Sequence, residues 1–483
     1  HTSWTVSTIT FKGGPFMKEN TDETNILYTT TSGELTKGSS IDLRSRLTGV
    51  FNSGMVGALI LIREPDAGLH SLWQPTSDVS IGDFRRWAAN TYKCTDAASA
   101  HTGTEPPTHT IGEMWDGASN AEARKWLYLH SGYGTVRVTG YTDSQHVTVT
   151  CEDYIPGDLN GTSSSGGTYK WARGCWADDN GYPSCVTFHE DRLVWSGAPD
   201  NAQRINASVT SDYENHAPRS LQGVVADDSA LSFVLNSNDV QKVTWMVSDE
   251  RGLAVGTVKA SWIVRSSNLN EALTPTNVNA KPIRNVGCPS GLAIRADKAV
   301  MFAQGEAQRK VREFLYSVEE DSFRVNDMTK LADHVSFGGI VDMAYQEELT
   351  PIVWAARADG TLLGLTYARE DNVVAWHRHE LGGDGAVESV ATIPAPDGVG
   401  EDLWMVVKRT IGGTTKRYVE YLTKPWEQDD DPLRATHFDC SLEYDGTPVT
   451  SVSGLDHLES GTVPVIVDGG SHQKQALSSG AIT

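Results

Sequence analysis

His377 and His379 stand two apart in an alternating run, so a strand would carry both imidazoles on one face, at a spacing that suits a metal ion. No third ligand follows nearby, and a His-Arg-His edge is more simply a solvated or interfacial strand. The run Gln428, Asp429, Asp430 and Asp431 offers the hard oxygen ligands of calcium, yet it lacks the glycine and downstream glutamate of a calcium loop. Acids adjacent at Glu319, Glu320 and Asp321, and at Glu347 and Glu348, are the side chains of glycoside cleavage. Neighbours on a strand point to opposite faces, however, and do not make the facing pair that chemistry needs. Neither a Gly-x-Ser-x-Gly elbow nor a phosphate-binding glycine loop occurs. The cysteines Cys94, Cys151, Cys175, Cys185, Cys288 and Cys440 are widely spaced without a Cys-x-x-Cys pair. Buried thiols are expected, a Cys175–Cys185 bond across a turn being the less favoured alternative. No catalytic residue, metal or cofactor is assigned, and the chain is expected not to be an enzyme.

Flat aromatic rings offer a different chemistry, because they stack on the apolar face of a sugar. Trp87, Tyr92 and Trp115, with Pro106 and Pro107, lie in a segment, 84–128, that is rich in Trp, Thr and Pro. They are the candidate glycan-binding residues. The competing reading makes these rings the core of their own small module, and it is the favoured one.

The elements that would position these groups are strands. Among 483 residues there are 45 Gly and 14 Trp, with many Thr and Val and little helical periodicity, a composition that points to β structure. Such a length suggests several domains. No apolar run reaches the roughly 18 residues of a membrane-spanning helix, and the first residues lack the basic and apolar regions of a secretory signal. Residues are expected to be missing at both ends. Short strands are expected at 4–10, 41–43 and 58–63. Residues 135–139 and 146–150 alternate around a turn, with Val136, Val138, Val147 and Val149 on one face. The 84–128 segment interrupts this domain as an inserted module. Residues 163–167 (SSSGG) are expected to be a flexible break. Strand pairs follow at 193–196, 245–263, 299–302, 352–367, 373–379 and 403–421. The strongest hairpin signal is Asp359-Gly360 between two apolar runs. The strands at 352–358, 361–367, 373–379 and 387–393 are expected to form one propeller blade, and units recur at roughly the 40–60 residue spacing of blades. Asp327 is placed as the cap of one short helix carrying Met328, Leu331 and Val335.

The fold expected is therefore mainly β: an N-terminal β domain over 1–165 with an aromatic-rich β module inserted at about 84–128, then a β-propeller over 168–426 of about five or six blades, then a small C-terminal β module over 432–483, cut short. Arg409, Lys416 and Arg417 lie on the 403–421 hairpin as candidate subunit contacts, a solvated strand face being the equal alternative.

From Tyr182 the chain runs YPSCVTFHEDRLVWSGAPDNAQRINASVTSDYENHAP. A proline precedes a Val-Thr-Phe strand on which Val186 and Phe188 share a face; a charged Arg-Leu-Val centre follows, and then Ser-Asp-Tyr. No nucleophile or metal cluster is embedded in it. Further runs are GALILIREP from Gly57, HSGYGTVRVTGY from His130, VWAARADGTLLGLTY from Val353, AWHRHELGG from Ala375, LWMVVKRTIGGTTKRYVEYL from Leu403 and GLDHLESGTVPVIVDGG from Gly454. In these runs, which keep their order over nearly the whole chain, the sequence resembles the tail tubular protein B family, the nozzle proteins of short-tailed bacteriophages.

The resemblance implies a structural virion protein: a homohexameric ring beneath the head–tail adaptor, surrounding the DNA exit channel, contacting tail fibre protein and opening at host binding. The charge accords with such a conduit. With 40 basic and 62 acidic side chains the chain carries −22, which disfavours binding duplex DNA by counterion release. A wall of that sign lets DNA slide past without specific binding, although solubility alone explains an acidic surface equally simply. The alternative reading is a phage adhesin or depolymerase that engages host surface polysaccharide, for which release of reducing sugar from host capsule would decide. A bacterial propeller binding module unrelated to phage fits the strands but not the ordered runs.

Overall fold

Alternation of apolar and polar residues with period two builds almost every element of the computed structural model. It describes residues 13–31, 35–63, 70–117, 123–156, 159–219, 224–268, 271–319, 322–348, 350–382, 384–396, 398–411, 413–422, 442–458 and 461–483. Among these the elements are strands and short 3-10 turns, with no α-helix. The mainly β expectation is met.

By contact the chain divides into two compact units, 1–243 with 265–280, and 244–264 with 281–483. The first begins with β1 (Leu27–Thr29), β2 (Ser40–Ser45) and β3 (Leu59–Arg63). After β3 come β4 (Phe84–Trp87), β5 (Asn90–Ala97), β6 (Glu113–Trp115) and β7 (Arg124–His130), which make a sheet of their own in the order β4-β5-β7-β6. The chain then returns with β8 (Tyr133–Asp143), β9 (His146–Cys151) and β10 (Trp171–Arg173), giving a six-stranded sheet ordered β1-β2-β9-β8-β3-β10. β3 pairs directly with β8, so the intervening sheet is an excursion between two neighbours. Val136, Val138, Val147 and Val149 are all buried on one face, as their alternation requires, and pack with Leu27, Leu43, Ile60 and Ile62. Each such side chain contributes about 1.5–3 kcal/mol by leaving water.

The inserted sheet has its own core: Trp73, Val79, Tyr92, Cys94, Trp126 and Tyr128. It reaches beyond 84–128 at both ends, because Trp73 and Val79 join the core and β7 runs to His130. The SSSGG run lies in a hydrogen-bonded turn. Gly161 bridges Gly166, Arg46 Nη2 donates to the Gly166 carbonyl at 2.6 Å, and Thr168 exchanges backbone bonds with Leu27 of β1. Gly167 has φ +79°, and a Cβ there would press on the Leu27 carbonyl, so this turn is built for glycine.

Five meander sheets follow in chain order. The first holds β11 (Cys185–His189), β12 (Arg192–Ala198), β13 (Asn201–Ala207) and β14 (Leu231–Val234), and the second β15 (Val243–Asp249), β16 (Gly252–Thr257), β17 (Ser261–Ser266) and β18 (Val278–Arg284). The third holds β19 (Ala293–Ala296), β20 (Ala299–Gln304), β21 (Lys310–Ser317) and β22 (Ser322–Asp327). The fourth holds β23 (Ile340–Gln346), β24 (Ile352–Arg357), β25 (Leu362–Ala368) and β26 (Val373–His379). The fifth has three strands, β27 (Ala386–Pro394), β28 (Glu401–Ile411) and β29 (Thr414–Leu422). The run of four-stranded meanders is propeller-like. Beyond it, β30 (Val452–Ser453) and β33 (Ala481–Ile482) pair, as do β31 (Thr462–Val467) and β32 (Gly470–Ala476).

Two local expectations are corrected. The Asp359-Gly360 hairpin forms between β24 and β25, but the fourth strand of that sheet is β23; residues 386–394 instead open the next sheet. Asp327 caps a turn and not a helix: its Oδ1 accepts the backbone N–H of Thr329 at 3.0 Å and the Thr329 hydroxyl at 2.7 Å. The residues that follow close i to i+3 turns, and Leu331 is left exposed. An Asx turn offers the backbone a partner other than a helical one.

The long apolar runs of β24 and β25 have a direct cause. Val353, Ala355, Leu363 and Leu365 enter a core on one face, with β19 and β20 residues, while Trp354, Ala356 and Leu362 enter another on the opposite face, with β27 and β28 residues. A strand buried on both faces loses its alternation.

Candidate functional site

In the inserted module the three aromatic candidates do not make one platform. Tyr92 is fully buried; its hydroxyl donates to the His109 carbonyl at 2.9 Å and its ring meets Tyr128 edge-on. A ring so enclosed presents no face to a sugar. Trp87 lies at the module surface, edge-on to Trp73 with centroids 5.9 Å apart, and Trp115 is half-buried on β6. What holds the module together is Asp116, a buried carboxylate that the sequence reading did not single out. Its Oδ2 accepts the indole N–H of Trp73 and of Trp126, each at 2.7 Å, and its Oδ1 accepts the backbone N–H of Gly103 at 2.9 Å and of Arg124 at 2.7 Å.

On β26 the two imidazoles do share a face. His377 Nδ1 and His379 Nε2 are 3.0 Å apart, and both rings pack on Trp354. Gly364, opposite His377 on β25, leaves room for the ring that any Cβ would fill. Burial and the neighbouring His379 push the His377 imidazole down from its usual value. Among the described residues no three His, Cys, Asp or Glu are grouped to hold a metal ion. Glu319 is a surface acid near Arg324; Glu320, Asp321, the 428–431 run and Cys440 lie outside the described residues. Cys94, Cys151, Cys175, Cys185 and Cys288 are free thiols, and burial pushes the Cys185 thiol up to about 12.

A second buried carboxylate, Glu313 on β21, joins two sheets of the second unit. It accepts Asn326 Nδ2 at 2.8 Å, the Tyr367 hydroxyl at 2.6 Å and Arg369 Nε at 2.8 Å, with Arg369 Nη2 also in contact. Burial, and then Glu313 itself, raise the Tyr367 hydroxyl well above its ordinary value. Glu313→Ala would strand the buried Tyr367 hydroxyl and remove the acceptor of the partly buried Asn326 amide. Arg369 is partly exposed and can turn to solvent, so the expected loss is about 2–4 kcal/mol. Urea unfolding of Glu313→Ala and Glu313→Gln measures it; an alanine variant as stable as the parent would show that the network contributes nothing.

The fifth sheet carries the basic candidates and separates them. Leu403, Met405, Val407 and Arg409 alternate along β28, and all four are buried. Arg409 is 1% exposed, with Nε and Nη2 on Glu420 at 2.6 and 2.7 Å and Nη1 on the Gly382 carbonyl. It is an internal ion pair rather than a subunit contact. Lys416 and Arg417 are exposed, and Arg417 holds Glu388 at 2.5 and 3.2 Å. The opposite parity of the same strands faces outward: Trp404 and Val406 on β28 pair with Tyr421 and Val419 on β29, beside Lys408 and Arg417. Val419 is 71% and Tyr421 53% exposed, and the Trp404 and Tyr421 rings stack at 5.1 Å. This sheet thus buries one face, whereas β24 and β25 are buried on both. The surface is an apolar strip with a basic end on an acidic chain, of the kind that contacts between protein surfaces bury.

No helix among the described residues is long and apolar enough to cross a membrane. No protein-family model matches the chain, and no curated protein matches it.

Proposed function

We propose that this chain is a structural virion protein, a subunit of the tail nozzle of a short-tailed bacteriophage. On this reading it is assembled in the bacterial cytoplasm and resides in the virion tail. It associates with copies of itself as a homohexamer, stacks on the head–tail adaptor, docks tail fibre protein and lets duplex DNA pass without specific binding. The successive meander sheets are the blades of a β-propeller. The observation that supports assembly is the outward strip of the fifth sheet, Trp404, Val406, Val419 and Tyr421, with Lys408 and Arg417 at its basic end. Exposed apolar side chains in a contiguous strip are what subunit contacts bury, and an acidic neighbour of net charge −22 complements Lys408. The resemblance carried by the ordered runs from Gly57 to Gly470 supports this choice of family.

Negative-stain imaging of the chain mixed with its adaptor ring tests the reading; six-fold stacked rings with a central channel are expected. The double variant Val419→Asp, Tyr421→Asp is expected to abolish the rings. Its unfolding free energy should stay within about 0.5–1 kcal/mol of the parent, because both side chains are exposed. Dispersed particles from the parent chain would refute the nozzle, and intact rings from the double variant would remove this face from the contact. The polysaccharide-binding alternative is weakened at the inserted module by the burial of Tyr92.

A further inference from the structure

A cavity of about 550 Å³ opens in the first unit, between the start of β8, the residues after β9 and the segments 209–219 and 224–229. Its size is that of a small-ligand pocket. Among the described residues two cations line it, Lys37 and Arg219, and three carboxylates, Glu152, Asp153 and Asp228. Arg219 is held in place by Tyr133: the guanidinium lies 5.0 Å from the ring centroid, and Nη1 donates to the hydroxyl at 3.2 Å. That contact fixes the cation without neutralising it. Among the described residues neither Arg219 nor Lys37 has a carboxylate partner. The acids are differently placed. Glu152 already pairs with Arg137 at 2.7 Å, and Asp153 accepts the backbone N–H of Thr135 at 3.2 Å. Carboxylates accept several hydrogen bonds each, so all three retain acceptor positions toward the cavity.

We infer that this cavity binds a carboxylated sugar, a ligand with one negative charge and many hydroxyls. The carboxylate goes to Arg219, in the fork geometry that a guanidinium favours, and to Lys37. The hydroxyls donate to Glu152, Asp153 and Asp228. The C–H face of the ring meets the apolar part of the wall, Phe16, Leu61 and Pro218. Charge ranks the neighbouring ligand classes below a carboxylated sugar. Against the described lining residues of three acids and two cations, a phosphate dianion meets about twice the repulsion of a single carboxylate, and a neutral sugar forms no ion pair with Arg219 or Lys37. The inference does not depend on ring assembly: it concerns a pocket within one subunit, at residues outside the fifth sheet.

Saturation-transfer NMR on the full chain tests it, with methyl glucuronide, the uncharged methyl glucoside and inorganic phosphate as probes. Methyl glucuronide is expected to receive saturation and to keep it in excess phosphate, while methyl glucoside receives none. Lys37→Gln, at an exposed side chain that the fold does not need, and Arg219→Gln are each expected to weaken glucuronide binding about tenfold or more. The proposal fails if glucuronide shows no transfer, if glucoside binds equally, if phosphate displaces the sugar, or if Lys37→Gln binds as the parent does.

Discussion

Asp116→Ala is expected to destabilise the inserted four-stranded module by about 4–8 kcal/mol, enough to unfold it while the six-stranded sheet stays folded. Four donors converge on that carboxylate: the indoles of Trp73 and Trp126 and the backbone amides of Gly103 and Arg124. Alanine leaves all four buried without an acceptor, and each stranded group costs about 1–3 kcal/mol. The surrounding core cannot rearrange to supply another acceptor, because both indoles are fixed among Tyr92, Cys94 and Tyr128. Asp116→Asn is milder: one oxygen survives, but the amide sets an N–H against a donor. Gly103→Ala should reproduce the alanine phenotype by another route, since a Cβ there would overlap the Asp116 carbonyl. Hydrogen exchange resolved by segment reads the outcome. Protection should vanish across β5 and β7 and persist across β8 and β9; protection retained in β5 and β7 would show the carboxylate to be dispensable. The same variants bear on the aromatic candidates. Any sugar affinity lost on changing Tyr92 would report unfolding of the module, whereas Trp87 can be replaced with the core intact.

Acidification from about pH 6.5 to 4 is expected to remove about 6 kcal/mol from the first unit, through two buried imidazoles. His130 is 4% exposed and His216 is 1% exposed, and burial pushes each down to about 4. For His130 the nearby His70 adds to the effect, and the backbone N–H of Gly132 donates to Nδ1 at 3.0 Å, which requires that nitrogen to be unprotonated. His216 packs edge-on against Trp176 at 5.5 Å. The carbonyls of Glu214 and Leu193 and the charge of Asp212 favour its cation, but burial outweighs them. A pKa depressed on folding means that the unfolded chain binds the proton first. Stability is therefore complete above the unfolded value near 6.5 and falls as the pH drops toward 4, by about 3 kcal/mol for each imidazole. Near pH 5 the two together give a slope of about 2.7 kcal/mol per pH unit. Urea unfolding of the parent at intervals across this range should show it, and His216→Phe should halve it. A slope of less than one proton's worth in the parent would refute the assignment.

Much of the fold is legible in the chain because period-two alternation is local. The shared face of Val136, Val138, Val147 and Val149, the hairpin at Asp359-Gly360 and the mainly β class all follow from neighbours in sequence. One site residue was equally legible: Arg409 has the parity of Leu403, Met405 and Val407, and so belonged on the buried face from the start. Lys408 and Arg417 have the parity of Trp404 and Val419, which is why they reach solvent on the outward strip. Asp116 gave no such signal, since its partner Trp73 lies 43 residues away and only folding brings the two together.

The sequence by itself determined which residues alternate, where hairpins turn and how negative the surface is, because those depend on adjacent side chains and on composition. Only the tertiary structure decided that β23 and not β27 completes the fourth sheet, that Tyr92 is core, that Glu313 and Asp116 are satisfied buried anions, and that Lys37 and Arg219 face one cavity. A strand's own pattern fixes its two faces and leaves open what will cover them. That choice belongs to contacts between residues far apart in the chain, whose energies exist only once the sheets have met.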